Sequence, residues 1–180
     1  GRLDADDLNG VDDDGNGVVD DVIGYDFVDR AAPVQEGEYQ TRDPDPGADP
    51  TAGGSDHGTA VAGVAAASMG GADGVNGVAP GTKLVALRAF GGDGFGQSDD
   101  IAAAIVYGAS VGVDVLNLSF GRNRAVPVIR DAIDYAIDQG TVVVASAGNE
   151  LTDDPHYPSD YPDVLSVVWL AEDGEGLPTF

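Results

Sequence analysis

The sequence contains no cysteine, one lysine (Lys83), one tryptophan and one methionine in 180 residues. Without cysteine there is neither a disulfide framework nor a thiol nucleophile. No run of about 18 apolar residues occurs, so no membrane-spanning helix is expected. Basic residues are scarce: 8 Lys and Arg face 32 Asp and Glu, a formal net charge of −24. So anionic a surface repels phosphate backbones, which excludes nucleic acid as an expected partner and favours divalent cations. An acidic, lysine-poor surface also suits a saline or extracellular setting, and secretion is the expected localisation. The chain opens on Gly1 with no visible signal peptide, and reads as an excerpt of a longer protein.

What is present is an ordinary globular composition, 42% hydrophobic. That is enough for one domain with a core. Residues 1–30 are rich in Asp and Gly, with a β-like run at Val22–Val28. Residues 31–56 hold four prolines and several glycines and read as a surface loop. From His57 the pattern changes to an α/β core over residues 57–180. His57–Ser68 is predicted helical, with Ser55 or Asp56 as cap. Lys83–Phe90 reads as a strand and Gly91–Gln97 as a glycine-rich turn. Ser98 starts a helix running through Val111, with Asp99 and Asp100 complementing its dipole. Strands are predicted at Val113–Ser119, Thr141–Ser146 and Val164–Leu170, with a helix over Val126–Gln139. Strands with nearly all-apolar interiors that alternate with helices predict an α/β fold. It has three layers: a mostly parallel sheet with helices on both faces. Ligands of such sheets bind beyond the carboxyl ends of the strands.

Two stretches carry chemistry. Asp56-His57-Gly58-Thr59-Ala60-Val61-Ala62-Gly63 sets a histidine, a candidate general base, at the start of an apolar helix. Ser146-Ala147-Gly148-Asn149 ends a strand on an amide side chain able to donate to an oxyanion. Alone, each has an ordinary alternative: a structural histidine beside a cap, or an asparagine closing a turn. Ser119, in Asn117-Leu118-Ser119-Phe120-Gly121, lacks the preceding glycine of a nucleophile elbow, so backbone pairing with a ligand is the better reading. His156, in a proline-bounded loop, reads as a surface histidine. Asp12, Asp14, Asn16, the carbonyl of Val18 and Asp20 follow the alternate-position spacing of a calcium loop. Ile23 stands where such loops place a bidentate glutamate, so Ca2+ is expected to bind weakly.

These blocks, in this order, resemble the subtilisin-like serine proteases (subtilases, peptidase family S8), and the resemblance covers essentially the whole chain. Asp56–Gly63 resembles the block around the family's catalytic histidine, and Ser146–Asn149 its oxyanion block. Gly77-Val78-Ala79-Pro80, Tyr157-Pro158-Ser159 and Val164–Val168 are similar to further family segments. Gly94-Phe95-Gly96 and Ser119-Phe120-Gly121 resemble the segments that hold an extended substrate peptide. The chain departs from many members at Asp56 and Ala60, which flank the His-Gly-Thr core. The resemblance implies a central piece of the catalytic domain, truncated at both ends.

It also implies a serine endopeptidase: His57 as base, Asn149 as oxyanion donor, and a peptide or protein substrate bound along Gly94, Phe95, Gly96, Ser119, Phe120, Gly121, Ala147 and Gly148. Phe95 and Phe120 shape apolar subsites. No Gly-Thr-Ser block and no apolar strand ending in the orienting aspartate occur in the sequence. The 180 residues alone are therefore expected to be inactive, and to be monomeric. A non-catalytic subtilase-like module that binds peptide and calcium is the alternative. An esterase using Ser119, Asp153 or Asp154, and His156 fails on the missing elbow glycine.

Overall fold

A computed structural model describes residues 11, 24–28, 30–35, 38–40, 46–47, 57–70, 74–150 and 152–170. The chain divides into two compact units, Gly1–Ala104 and Ile105–Phe180.

In the first unit, β1 (Gly24–Asp26) pairs in parallel with β4 (Ala86–Arg88). The expected strand Lys83–Phe90 reduces to the three residues of β4, and the expected strand Val22–Val28 is described over residues 24–28, of which Gly24–Asp26 pair. Asp26 lies opposite Arg88 in the register, and the two side chains form a buried ion pair. The second Asp26 oxygen accepts the Val28 N–H at 2.8 Å. Both lone-pair sets of a nearly inaccessible carboxylate are thereby used, the condition for burying a charge. Within the expected loop 31–56, β2 (Arg30–Gln35) and β3 (Glu38–Gln40) form an antiparallel pair. Helix α1 covers His57–Ala66. Its last carbonyls are satisfied by a returning segment: the N–H groups of Gly77, Val78 and Ala79 donate to Ala67, Val64 and Ala65. Those orphan acceptors would otherwise need water.

Helix α2 (Ser98–Ser110) carries Asp99 and Asp100 in its first turn and buries Ile101, Ala102, Ala104, Ile105, Tyr107 and Ala109. The second unit holds a three-stranded, all-parallel sheet in the order β5 (Val115–Leu118), β6 (Val142–Ser146), β7 (Leu165–Val167). Leu116 and Leu118 of β5 alternate with exposed neighbours, and on β6 the buried Val143 and Ala145 alternate with exposed Val142 and half-buried Val144 and Ser146. One sheet face therefore forms a core. Helix α3 (Pro127–Asp138) packs on β6 and buries Ile129, Ala132, Ile133 and Ala136, a stripe at helical spacing.

The start of α3 shows how a helix manages without a polar cap. Val126 occupies the cap position and offers no side-chain acceptor. Pro127 at the first turn removes one orphan N–H. The Tyr161 hydroxyl accepts the Val126 N–H at 2.9 Å and donates to the Val126 carbonyl at 3.2 Å. Arg130 clamps Asp134 one turn along and lies 5.2 Å from the Tyr161 ring centre. The same tyrosine thus fixes both the helix entry and the loop that carries it.

Candidate active site

The strands of a parallel sheet end on one edge, and in the second unit that edge opens into a cleft of about 520 Å³. Its lining follows from strand order. Gly121 comes after β5, Ala147 and Gly148 after β6, and Val168 and Trp169 after β7. The predicted residues Gly121, Ala147 and Gly148 are therefore brought together, with Asn149 next in the chain and exposed. Ser119 lies on the same post-β5 turn, where its Oγ accepts a hydrogen bond from Asn117 at 2.8 Å. Phe120 follows it, half-buried.

The other predicted residues belong to the first unit. His57 is the first residue of α1 and is exposed. Gly94, Phe95 and Gly96 lie on a tight turn closed by Gly94 N–H to Gly91 O (2.9 Å) and Gly91 N–H to Phe95 O (3.0 Å). The Phe95 ring is 76% exposed there, as an apolar contact surface requires. Asp12, Asp14, Asn16, Val18, Asp20 and the expected cap residues Ser55 and Asp56 lie outside the described residues. Among the described residues, no group of three or more His, Asp or Glu could hold a metal.

His156 differs from its surface reading. The ring is half-buried and packs onto two glycines. A Cβ at Gly121 would lie 1.9 Å from its Cε1, and one at Gly148 would lie 2.8 Å from its Cδ2. Gly148 also has φ +93, so it is required twice over: for its backbone and for this close approach. The loop is clipped in place by reciprocal backbone bonds between Arg122 and Tyr157, 2.9 and 2.8 Å. It is braced inside by His156 N–H to Asp160 Oδ2 (2.8 Å) and Asp160 N–H to His156 O (2.9 Å).

Ser159 Oγ donates to the His156 carbonyl at 2.7 Å and lies 3.0 Å from Nδ1. A hydroxyl has one hydrogen, so Nδ1 is the donor to Ser159. A general base would accept a proton from a serine; this ring donates one. His156 and Ser159 are thus a brace rather than a nucleophile and its base.

Glu150 also lines the cleft. Its Oε2 accepts the Asn149 N–H at 2.8 Å. That bond, and a second from its own backbone N–H, hold its carboxyl below the ordinary glutamate range, with His156 adding a smaller pull. Sequence reasoning passed over Glu150 and His156 as cleft residues. The available signal was a glycine after each of two apolar strands, which announces a close approach without saying by what.

A family model described as "Subtilase family" (Peptidase_S8) matches residues 13–178. The chain belongs to this family of serine proteases. It is 38% identical over 146 residues to the Thermophilic serine proteinase of Bacillus sp. (strain AK1), covering 81% of this chain and 32% of that protein. It is 35% identical over 167 residues to the Halolysin-like extracellular serine protease Nep of Natrialba magadii, covering 91% and 30%. The solved structure of Sphericase superposes with a TM-score of 0.55 at 36% identity, over 59% of this chain and 37% of that one. The chain thus spans about a third of the length of these relatives. Its fold class is α/β, three-layered and mostly parallel, as in subtilisins.

Proposed function

We propose that this chain is the part of a subtilisin-type serine endopeptidase that supplies the general base and one oxyanion donor. His57 takes the proton of a serine nucleophile attacking a peptide carbonyl, then returns it to the leaving amine. The Asn149 side-chain amide holds the oxyanion. The substrate lies extended, pairing as an added strand beside Gly94–Gly96 and Ser119–Gly121. The serine and the aspartate that orients His57 come from outside these 180 residues. The enzyme is secreted and monomeric, and calcium bound by Asp12–Asp20 braces its amino-terminal segment.

The observation that carries the reading is the cleft at the carboxyl ends of β5, β6 and β7, bounded by the Ala147–Gly148 backbone and adjoining Asn149. The test is kinetic, in the full-length protease that carries this segment. Asn149→Ala should lower kcat by about 10²–10³-fold with little change in KM, because the oxyanion exists only near the transition state. His57→Ala should cost about 10⁴-fold or more. The isolated 180-residue chain should bind peptides without turning them over. Full activity after His57→Ala would end this reading.

A further inference from the structure

We propose that Asn76 is a deamidation site, held closed by the end of helix α1 and converted to isoaspartate when that end opens. The site is independent of the proteolytic reading.

Asn76 is exposed and is followed by Gly77, the one Asn-Gly pair among the described residues. Such a pair carries its own chemistry. The main-chain nitrogen after an asparagine can attack the side-chain carbonyl carbon. A new C–N bond closes a succinimide ring, the Cγ–Nδ2 bond breaks, and the amide leaves as ammonia with the proton of the attacking nitrogen. Water then opens the ring at either carbonyl, giving aspartate or isoaspartate. Glycine hinders this attack least, because it has no Cβ beside the nitrogen and the widest backbone freedom.

In the folded chain both reacting groups are tied to α1 and the loop that follows it. Asn76 Oδ1 accepts the Gly70 N–H at 2.8 Å. The Gly77 N–H, whose proton must leave before the nitrogen attacks, donates to Ala67 O at 2.9 Å. The N–H groups of Val78 and Ala79 anchor the next residues to Val64 O and Ala65 O, at 2.9 and 2.8 Å. Ring closure therefore waits for this segment to lift from the helix end. Packing keeps the reactive pair in place. A Cβ at Gly77 would stand 2.3 Å from Ala67 N and 2.6 Å from Ala66 C, so no bulkier residue can slow the attack without displacing the segment that caps α1.

The two products differ in consequence. An aspartate at 76 still accepts the Gly70 N–H, now as a charge-assisted bond. Isoaspartate routes the main chain through the side-chain carbonyl and adds a methylene before Gly77. Gly77, Val78 and Ala79 then lose register with the helix carbonyls, which are left to water. The helix that begins at His57 thereby loses its carboxyl-terminal cap for good.

The experiment compares the 180-residue chain with the peptide acetyl-Gly-Val-Asn-Gly-Val-Ala-amide, which copies residues 74–79, at mildly alkaline pH. Deamidation is followed by mass spectrometry of tryptic digests. Cleavage at Arg42 and Lys83 separates Asn76 from the pairs Asn9-Gly10 and Asn16-Gly17. Asn76 in the chain should react about ten- to a hundredfold more slowly than in the peptide, the protection given by two hydrogen bonds that open together. Ala65→Gly, at an exposed position of α1, should loosen the last turn and speed the reaction about fivefold. In concentrated urea both chains should reach the rate of the peptide. Asn76→Asp should melt like the parent, whereas chains purified with isoaspartate at 76 should melt lower and lose amide-exchange protection at Val78 and Ala79. Deamidation as fast in the folded chain as in the peptide, or a rate untouched by Ala65→Gly, overturns the proposal. So does an isoaspartyl chain whose melting and exchange match the parent's.

Discussion

Substituting alanine at Gly121 should displace His156, and the size of the effect can be worked from the contact. The new Cβ would stand 1.9 Å from Cε1 and 2.2 Å from Nε2 of the ring. Carbon atoms settle at about 3.5–4.0 Å, so the imidazole must retreat by roughly 1.5 Å. It is tethered on the far side by the 3.0 Å bond from Nδ1 to Ser159 Oγ. Its loop is held by the paired Arg122–Tyr157 bonds. A retreat of that size breaks the Ser159 bond, worth about 0.5–1.5 kcal/mol net. Residual overpacking adds about 1 kcal/mol, at the low end because a half-buried ring can swing outward. The total is about 2 kcal/mol.

Gly121 lacks the positive φ that Gly148 has, so the contact with the ring accounts for the cost. In a His156→Ala background the same Gly121→Ala change meets no ring and should cost about 0.5 kcal/mol or less. Denaturant unfolding of the four proteins of this cycle should therefore return a coupling of about 1.5 kcal/mol. Equal costs of Gly121→Ala in both backgrounds would show that the imidazole does not occupy the space between the two glycines.

Three other outcomes are expected. Asp26→Ala leaves the Arg88 guanidinium buried without its carboxylate and should destabilise by about 3 kcal/mol in thermal or denaturant unfolding. Replacing both residues by leucine should cost clearly less; the reverse order would contradict the buried pair. The Glu150 carboxyl should titrate below the ordinary glutamate range by ¹³C NMR, because the N–H groups of Asn149 and its own backbone favour the anion. A carboxyl lowered in the folded state contributes stability that is present above the unfolded value and lost as pH falls through the folded one. Order in the Asn149 turn should follow that lower titration, and a normal or raised value for Glu150 would refute the bond. The Asp12–Asp20 segment should bind one Ca2+ with a dissociation constant of ~10⁻⁴–10⁻³ M by calorimetry. Asp12→Asn combined with Asp14→Asn should abolish the heat, and no heat from the unmodified chain at millimolar calcium would end that expectation.

Local sequence accounted for the elements themselves. Nearly all-apolar runs located β5 and β6, and the helix expected over Val126–Gln139 is α3, each within two residues of the observed ends. Motif spacing identified the subtilase family, and the glycines after the strands marked the sheet edge that opens as a cleft. These are short-range signals, because a strand's buried face and a helix's stripe depend on neighbours within a few residues. Strand extents were less legible: β4 keeps three of eight expected residues, because β1 pairs with only three.

The identity of the residues that fill the cleft came only from the tertiary structure. His156 lies 35 residues from Gly121 in the sequence, between prolines that suggest a solvated loop. It is drawn inward by backbone bonds from Arg122 to Tyr157, which no side-chain pattern announces. Its protonated nitrogen follows from a serine three residues on whose hydroxyl is already committed. Resemblance of short motifs identified the family, and the alternation of apolar strands with helices indicated the fold class and the edge where ligands bind, since those rest on the local chain. Contacts between remote segments decided which side chains line the cleft, because they choose which residues meet there.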